Sequence, residues 1–196
     1  MNIQPTLEVR WFFDELPFAI ERLFGGIIAQ ERIDWYALPC HEGCGIKLRE
    51  GRLETKLRQR SEGEFSLGSV VGAMESWFKW SVPMPSDNMP TTSLLKGTGW
   101  VPVHKRRWIR RYAVTSEGHM EVMNRVASGC AFELTQLEVY GQTFYTVGYE
   151  AVGREDALRQ YLDLVANEIH AKYEFASGQL PLENSYGYPF WLNRFT

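Results

Sequence analysis

Segment after segment of this chain alternates charged with apolar side chains at every second residue. Residues two apart in an extended strand share a face. Glu8 and Arg10 therefore lie on one side of the first such segment, with Leu7, Val9 and Trp11 on the other. Lys47 and Arg49 share a face in a second segment. Glu54, Lys56 and Arg58 share one in a third, opposite Leu53, Thr55 and Leu57. Lys105 and Arg107 repeat the pattern, although Arg106 and Arg110 carry charge on the opposite parity. Thr146, Gly148 and Glu150 stand against Tyr145, Val147 and Tyr149. A chain built of such segments is a half-apolar sheet that must hide one face.

Turn residues divide the segments. Strands are predicted over 6–13, 33–38, 45–48, 52–59, 77–82 and 101–114, with a further one after the turn at 116–119. The clearest hairpin joins 132–140 to 143–151 through Gly141-Gln142, and Arg49-Glu50-Gly51 joins another. Residues 83–92, with three prolines, read as a loop. Helical spacing marks 16–24, closed by Gly25-Gly26, and more strongly 154–175. In the second of these Leu158, Tyr161, Leu162, Val165, Ala166 and Ile169 form one stripe. About eight strands in successive antiparallel pairs predict an α+β, mainly antiparallel fold: a closed or nearly closed β-barrel with flanking helices. A two-sheet sandwich is the alternative. Residues 1–176 are expected to form the barrel domain with its helix, and the aromatic tail 177–196 to pack over the barrel or plug one mouth.

Composition narrows the class. Of 196 residues, 44% are hydrophobic, enough for a sizeable core. No apolar run reaches the roughly 20 residues that span a bilayer, and nothing at the N-terminus reads as a signal peptide. Three cysteines argue against a disulfide framework and suit a reducing, cytoplasmic setting. The net charge of −3 conceals a polarity. Residues 47–111 hold 13 basic against 6 acidic side chains, and the remainder 8 against 18. The charged strand faces look either to solvent or into a barrel lumen. In the second case lysines and arginines converge where only a multiply charged anion offsets their repulsion.

The order of these strands resembles the CYTH superfamily, the triphosphate tunnel metalloenzymes. Thr6-Leu7-Glu8-Val9-Arg10 is similar to that family's opening Glu-x-Glu-x-Lys, with the second acid kept and arginine for lysine. Ile33-Asp34-Trp35-Tyr36 resembles its Asp-x-Tyr strand. Gly45-Ile46-Lys47-Leu48-Arg49 and Glu54-Thr55-Lys56-Leu57-Arg58 resemble its paired basic strands, and Val103-His104-Lys105-Arg106-Arg107 its later Lys-x-Arg strand. Gly148-Tyr149-Glu150 stands at a closing Glu-x-Glu. The resemblance covers roughly 6–170.

The resemblance implies a tunnel binding a triphosphate, polyphosphate or other phosphorylated anion. Arg10, Lys47, Arg49, Lys56, Arg58, Lys105 and Arg107 would grip phosphate. Glu8, Glu150 and Glu133, with Glu54 a further candidate, would hold Mg²⁺ or Mn²⁺. Thr6 and Gly148 occupy positions where the family places acids, so anion binding is better supported than metal-dependent hydrolysis. A non-catalytic receptor or interaction module is the alternative. Nucleic-acid binding by 104–111, where cations flank Trp108, is set against the acidic total and the lack of a recognised motif. No Ser-His-Asp arrangement or phosphate-cradling glycine loop is evident, and no partner membrane is expected.

Overall fold

The computed structural model describes residues 3–17, 20–85, 92–96, 98–115 and 117–196. Nine strands follow in chain order: β1 (Ile3–Phe13), β2 (Gln30–Ala37), β3 (Cys44–Arg49), β4 (Arg52–Leu67), β5 (Val70–Pro83), β6 (Trp100–Val114), β7 (Met120–Val122), β8 (Gly129–Val139) and β9 (Gln142–Val152). Eight of them run β2-β3-β4-β5-β1-β9-β8-β6, and β6 pairs back onto β2 from Gln30↔Arg107 to Ala37↔Trp100, closing the barrel. All the pairings are antiparallel, and β7 is appended to the far part of β6.

The tight hairpins follow from local chemistry. Glu50 and Gly51 between β3 and β4 have φ of 47° and 73°. Tyr140 and Gly141 between β8 and β9 have φ of 49° and 74°. Two left-handed residues with glycine second match the right-handed twist of the flanking strands. The second turn is thus centred one residue before the predicted Gly141-Gln142.

Three elements differ from the sequence reading. The strand predicted over 77–82 is the end of a 14-residue strand, and β4 runs 16 residues to meet it. Register shifts between Arg58 and Arg60 and between Ser61 and Glu64 break the alternation there, so periodicity loses the strand while ladder hydrogen bonds continue it. Among the described residues, the helix expected over 16–24 is a single 3-10 turn at Ile20–Phe24. The strong helix narrows to α2 (Leu158–Lys172), entered through a 3-10 turn at Glu155–Ala157. Most of the loop expected over 83–92 lies outside the described residues; a short helix, α1 (Thr92–Lys96), follows it.

The apolar faces point outward. Leu7, Val9 and Trp11 of β1, Val147, Tyr149 and Ala151 of β9, and Phe132 and Leu134 of β8 pack against the predicted stripe of α2. The charged faces consequently point into the lumen. At one end the lumen turns apolar: Phe12, Val101, Val103, Leu137 and Phe144 enclose Trp191 and Leu192 of α3 (Tyr188–Leu192). The tail therefore enters the barrel. It does so where β1 and β5 part company after Val9↔Met74. There Ser185 bridges Trp11, its hydroxyl donates to the Arg10 carbonyl at 3.0 Å, and the Ala73 amide donates to it at 2.8 Å.

Candidate functional site

The inward-facing residues of the eight barrel strands come together in a cavity of about 300 Å³. Nine basic residues line it: Arg10, Arg32, Lys47, Arg49, Lys56, Lys79, Lys105, Arg107 and Arg111, against four acids, Glu8, Glu54, Glu133 and Glu150. With Asp34, fully buried beside them, the lining still carries a surplus of four cations.

Four ion-pair groups organise these charges. At the first, Asp34 Oδ2 lies 3.1 Å from Lys105 Nζ and 3.2 Å from Lys47 Nζ, and Oδ1 3.1 Å from Arg32 Nε. Burial alone would raise the Asp34 pKa, but the three cations outweigh it and hold the carboxyl well below the usual range. Lys105 also donates to the Tyr36 hydroxyl at 2.7 Å. Burial pulls its pKa well down in spite of Asp34. Burial likewise lowers Lys47, to about 8, with Asp34 and Glu54 opposing and Arg49 and Arg32 assisting.

At the second, Glu133 accepts from Arg107, from Arg10 Nη1 at 3.3 Å and from the Thr135 hydroxyl at 2.7 Å. These neighbours overcome its burial and keep it ionised. At the third, Lys56 sits between Glu8, in close contact, and Glu150 at 3.4 Å. Lys56 and Lys79 offset the burial of Glu150 and lower its pKa to about 2. At the fourth, Glu54 pairs with Arg49 and, at 3.4 Å, with Lys47.

Of the residues singled out from sequence, Arg10, Lys47, Arg49, Lys56, Lys105, Arg107, Glu8, Glu133, Glu150 and Glu54 all line this cavity. Arg58 does not. It lies farther along the same face, 2.6 Å from Glu75. Thr6 and Gly148, where the sequence resemblance would place acids, are both closely surrounded. Thr6 is buried and its hydroxyl donates to Glu8 Oε1 at 3.4 Å. A Cβ on Gly148 would stand 3.0 Å from the Val9 carbonyl oxygen and 3.2 Å from Arg10 Cζ. The Arg10 guanidinium fills the space a second acid would need.

Sequence reasoning missed Lys79, Arg111, Arg32 and Tyr188 as lining residues. Arg111 shares parity with Lys105 and Arg107, so its signal was present. Lys79 was hidden by the interrupted alternation of its hairpin, and Arg32 lay just ahead of the predicted strand. Nothing in the tail's composition marks Tyr188, whose ring centroid lies 4.1 Å from Lys105 Nζ and 5.1 Å from Arg10 Cζ. On the outer face of β6, Arg106 lies against Trp108 and near Glu31, and Arg110 donates to the Leu23 carbonyl at 2.7 Å. Those cations are engaged by the protein itself.

Among the described residues no group of three or more His, Cys, Asp or Glu side chains is placed to hold a metal ion. Glu8 lies opposite Glu150 on β9 and opposite Glu75 on β5, and Glu8 and Glu150 both line the cavity. Glu133 is committed to Arg10 and Arg107. No described helix is long and apolar enough to cross a membrane.

No family model and no curated protein matches the chain. Among solved structures it is similar to a conserved hypothetical protein from Pyrococcus furiosus, at 12% identity and a TM-score of 0.43, over 93% of this chain and 98% of that one. It is also similar to the PH1819 protein of Pyrococcus horikoshii OT3, at 14% identity and a TM-score of 0.39, over 91% and 92% of the two chains.

Proposed function

We propose that the lumen binds a triphosphate, polyphosphate or other phosphorylated small anion. The observation that carries this reading is the convergence of nine basic side chains on one cavity whose neighbouring acids leave four of them uncompensated. A polyphosphate supplies several negative charges in a row, and the arginines supply planar forks that hold phosphate oxygens in pairs. The resemblance to the triphosphate tunnel family supports the same ligand class. Arg10 and Arg107 reach it from the Glu133 side, Lys47 and Lys105 from the Asp34 side, and Lys56 and Lys79 from the Glu150 side.

A divalent cation is the second part of the proposal. Glu8 and Glu150 are the acids that would hold Mg²⁺ or Mn²⁺. Two carboxylates suffice when phosphate oxygens and water complete an octahedron. The ion would neutralise charge developing on a phosphoryl group. This chain's own part in hydrolysis would be to fix the phosphates among its cations. The alternative is a receptor without turnover. It is favoured by the engagement of every lumen acid with a lysine or arginine and by the tail's occupation of one barrel end.

Phosphate release from inorganic triphosphate with Mg²⁺ or Mn²⁺ tests the enzyme reading, with Glu8→Gln alongside. Turnover in the wild type, lost in the variant, supports hydrolysis. Equal background rates from both end it. Calorimetric titration with triphosphate, with and without metal, tests the receptor: metal-independent binding without turnover establishes it, and turnover excludes it.

A further inference from the structure

The outer face of the barrel divides into three arcs. Over β1, β9 and β8 it is covered by the apolar stripe of α2. Over β2, β6 and β8 it is charged, with His104 opposite Glu138 and Arg106 opposite Glu31. The third arc, on β3, β4, β5 and the start of β1, is neither covered nor charged. Its ladder register lines up Ile46, Thr55, Trp80 and Ile3 across four strands. The rows on either side, through Leu57–Phe78 and Leu53–Val82, are uncharged as well. The charged residues of the same strands, Lys47, Glu54, Lys56 and Lys79, have the other parity and line the lumen. Nothing among the described residues shields the outer rows. Ile3, Leu57, Val82 and Ile46 remain 54%, 44%, 39% and 37% exposed, and Trp80 and Phe78 are half-buried.

We propose that this arc is the centre of an interface between two copies of this chain. With charge filling their inner face, β3, β4 and β5 can remove apolar area from water only on the outside. Strand spacing and rise make the patch roughly 20 Å by 20 Å, about 400 Å². A stable dimer buries roughly 800 Å² per partner, around a charge-depleted centre enriched in aromatic residues. The patch, with Trp80 and Phe78 in its middle, supplies that centre, and the polar residues around it supply the remaining area. Charge selects the occupant. A nucleic acid, an acidic or basic segment, or a charged lipid surface finds no counter-charge on these rows. A second copy brings the same uncharged rows, so the two faces meet about a two-fold axis without burying an unpaired ion. Two sheets packed in this way interdigitate their side chains at a separation of roughly 10 Å. The lumen side chains of the same strands take no part in the contact, so the interface is independent of what the lumen binds.

Sedimentation velocity of the full chain, over a concentration series reaching about 100 μM, tests this directly. The wild type is expected to be dimeric at the upper end and to dissociate on dilution. Leu57→Glu places a charge on each copy within the contact and is expected to raise the dimer Kd about tenfold or more. Leu57 is exposed in the single chain, so a native circular dichroism spectrum is expected of the variant. Val82→Lys, on the opposite flanking row, is expected to act in the same direction and carries the test if Leu57→Glu does not fold. Val122→Glu, exposed on β7 away from the arc, is expected to leave the Kd unchanged. A wild type that stays monomeric at about 100 μM overturns the proposal. A dimer whose Kd is unmoved by both arc substitutions, or moved equally by Val122→Glu, overturns it too, because the copies then meet elsewhere. A monomer that floats with neutral phosphatidylcholine vesicles overturns the second copy as occupant and assigns the arc to a lipid surface.

Discussion

Lys47 shows how one buried charge links the site to pH. Asp34, Glu54, Arg49, Arg32 and the Tyr36 ring surround it, and burial brings its pKa to about 8 from an ordinary 10.5. Between those two values the unfolded chain binds the lysine proton and the folded chain does not. This group therefore makes stability rise with pH across that window, while the cavity loses a positive charge. Affinity for a polyanion is expected to fall as pH rises through about 8, and a Lys47→Arg variant, charged throughout, to show a flatter profile. Titrations from neutral pH upward check this. Identical profiles for the two proteins would show that Lys47 does not face the ligand. Gly148 and Thr6 make a related point: absence of an expected carboxylate was legible in the sequence, but its cause was not. At Gly148 the cause is the path of Arg10 across the neighbouring strand, a tertiary fact.

Elements were legible where local chemistry dictates them. The α2 stripe and the two glycine-bearing hairpins follow from periodicity and from left-handed turn residues. The extension of β4 and β5 was not legible, because two register shifts scramble the alternation and polar Ser61–Glu64 has little strand preference of its own. The tail was legible as too aromatic for solvent, but only the gap between β1 and β5 shows where it goes. Gly187 passes close to the inner face of β5. A Cβ there would lie 2.8 Å from Glu75 Oε2 and from the Trp77 ring. Its φ of −78° suits any residue, so the constraint is space alone. Gly187→Ala is expected to cost about 1–3 kcal/mol by overpacking. Thermal denaturation would read this as roughly 2–4 °C of Tm per kcal/mol for a chain of this size. Gly45→Ala, whose Cβ would meet Pro189 Cγ at 3.4 Å, is the tolerated control. A Gly187→Ala protein melting with the wild type would mean that the tail does not pass this way.

At the scale of the whole molecule, the division of charge along the chain becomes a division between inside and outside. The basic strands β3, β4 and β6 contribute Lys47, Arg49, Lys56, Lys105, Arg107 and Arg111 to the lumen, so a chain of net charge −3 encloses a positive interior. Sequence alone could not choose between this and outward-facing cations, because alternation fixes which residues share a face and not which face is inside. The apolar helix and the closure of β6 onto β2 make that choice. An interior with surplus like charge is destabilised by its own repulsion, and a bound polyanion relieves it. The most direct test of this account is calorimetric titration with inorganic triphosphate of the wild type and of a Lys79→Ala/Arg111→Ala double variant. Among the described residues neither cation lies within ion-pair distance of an acid, so their loss leaves the buried pairs intact. The account expects a single site in the wild type, weakened by salt, and affinity about tenfold lower in the variant. No binding by the wild type, or equal binding by both proteins, would contradict it.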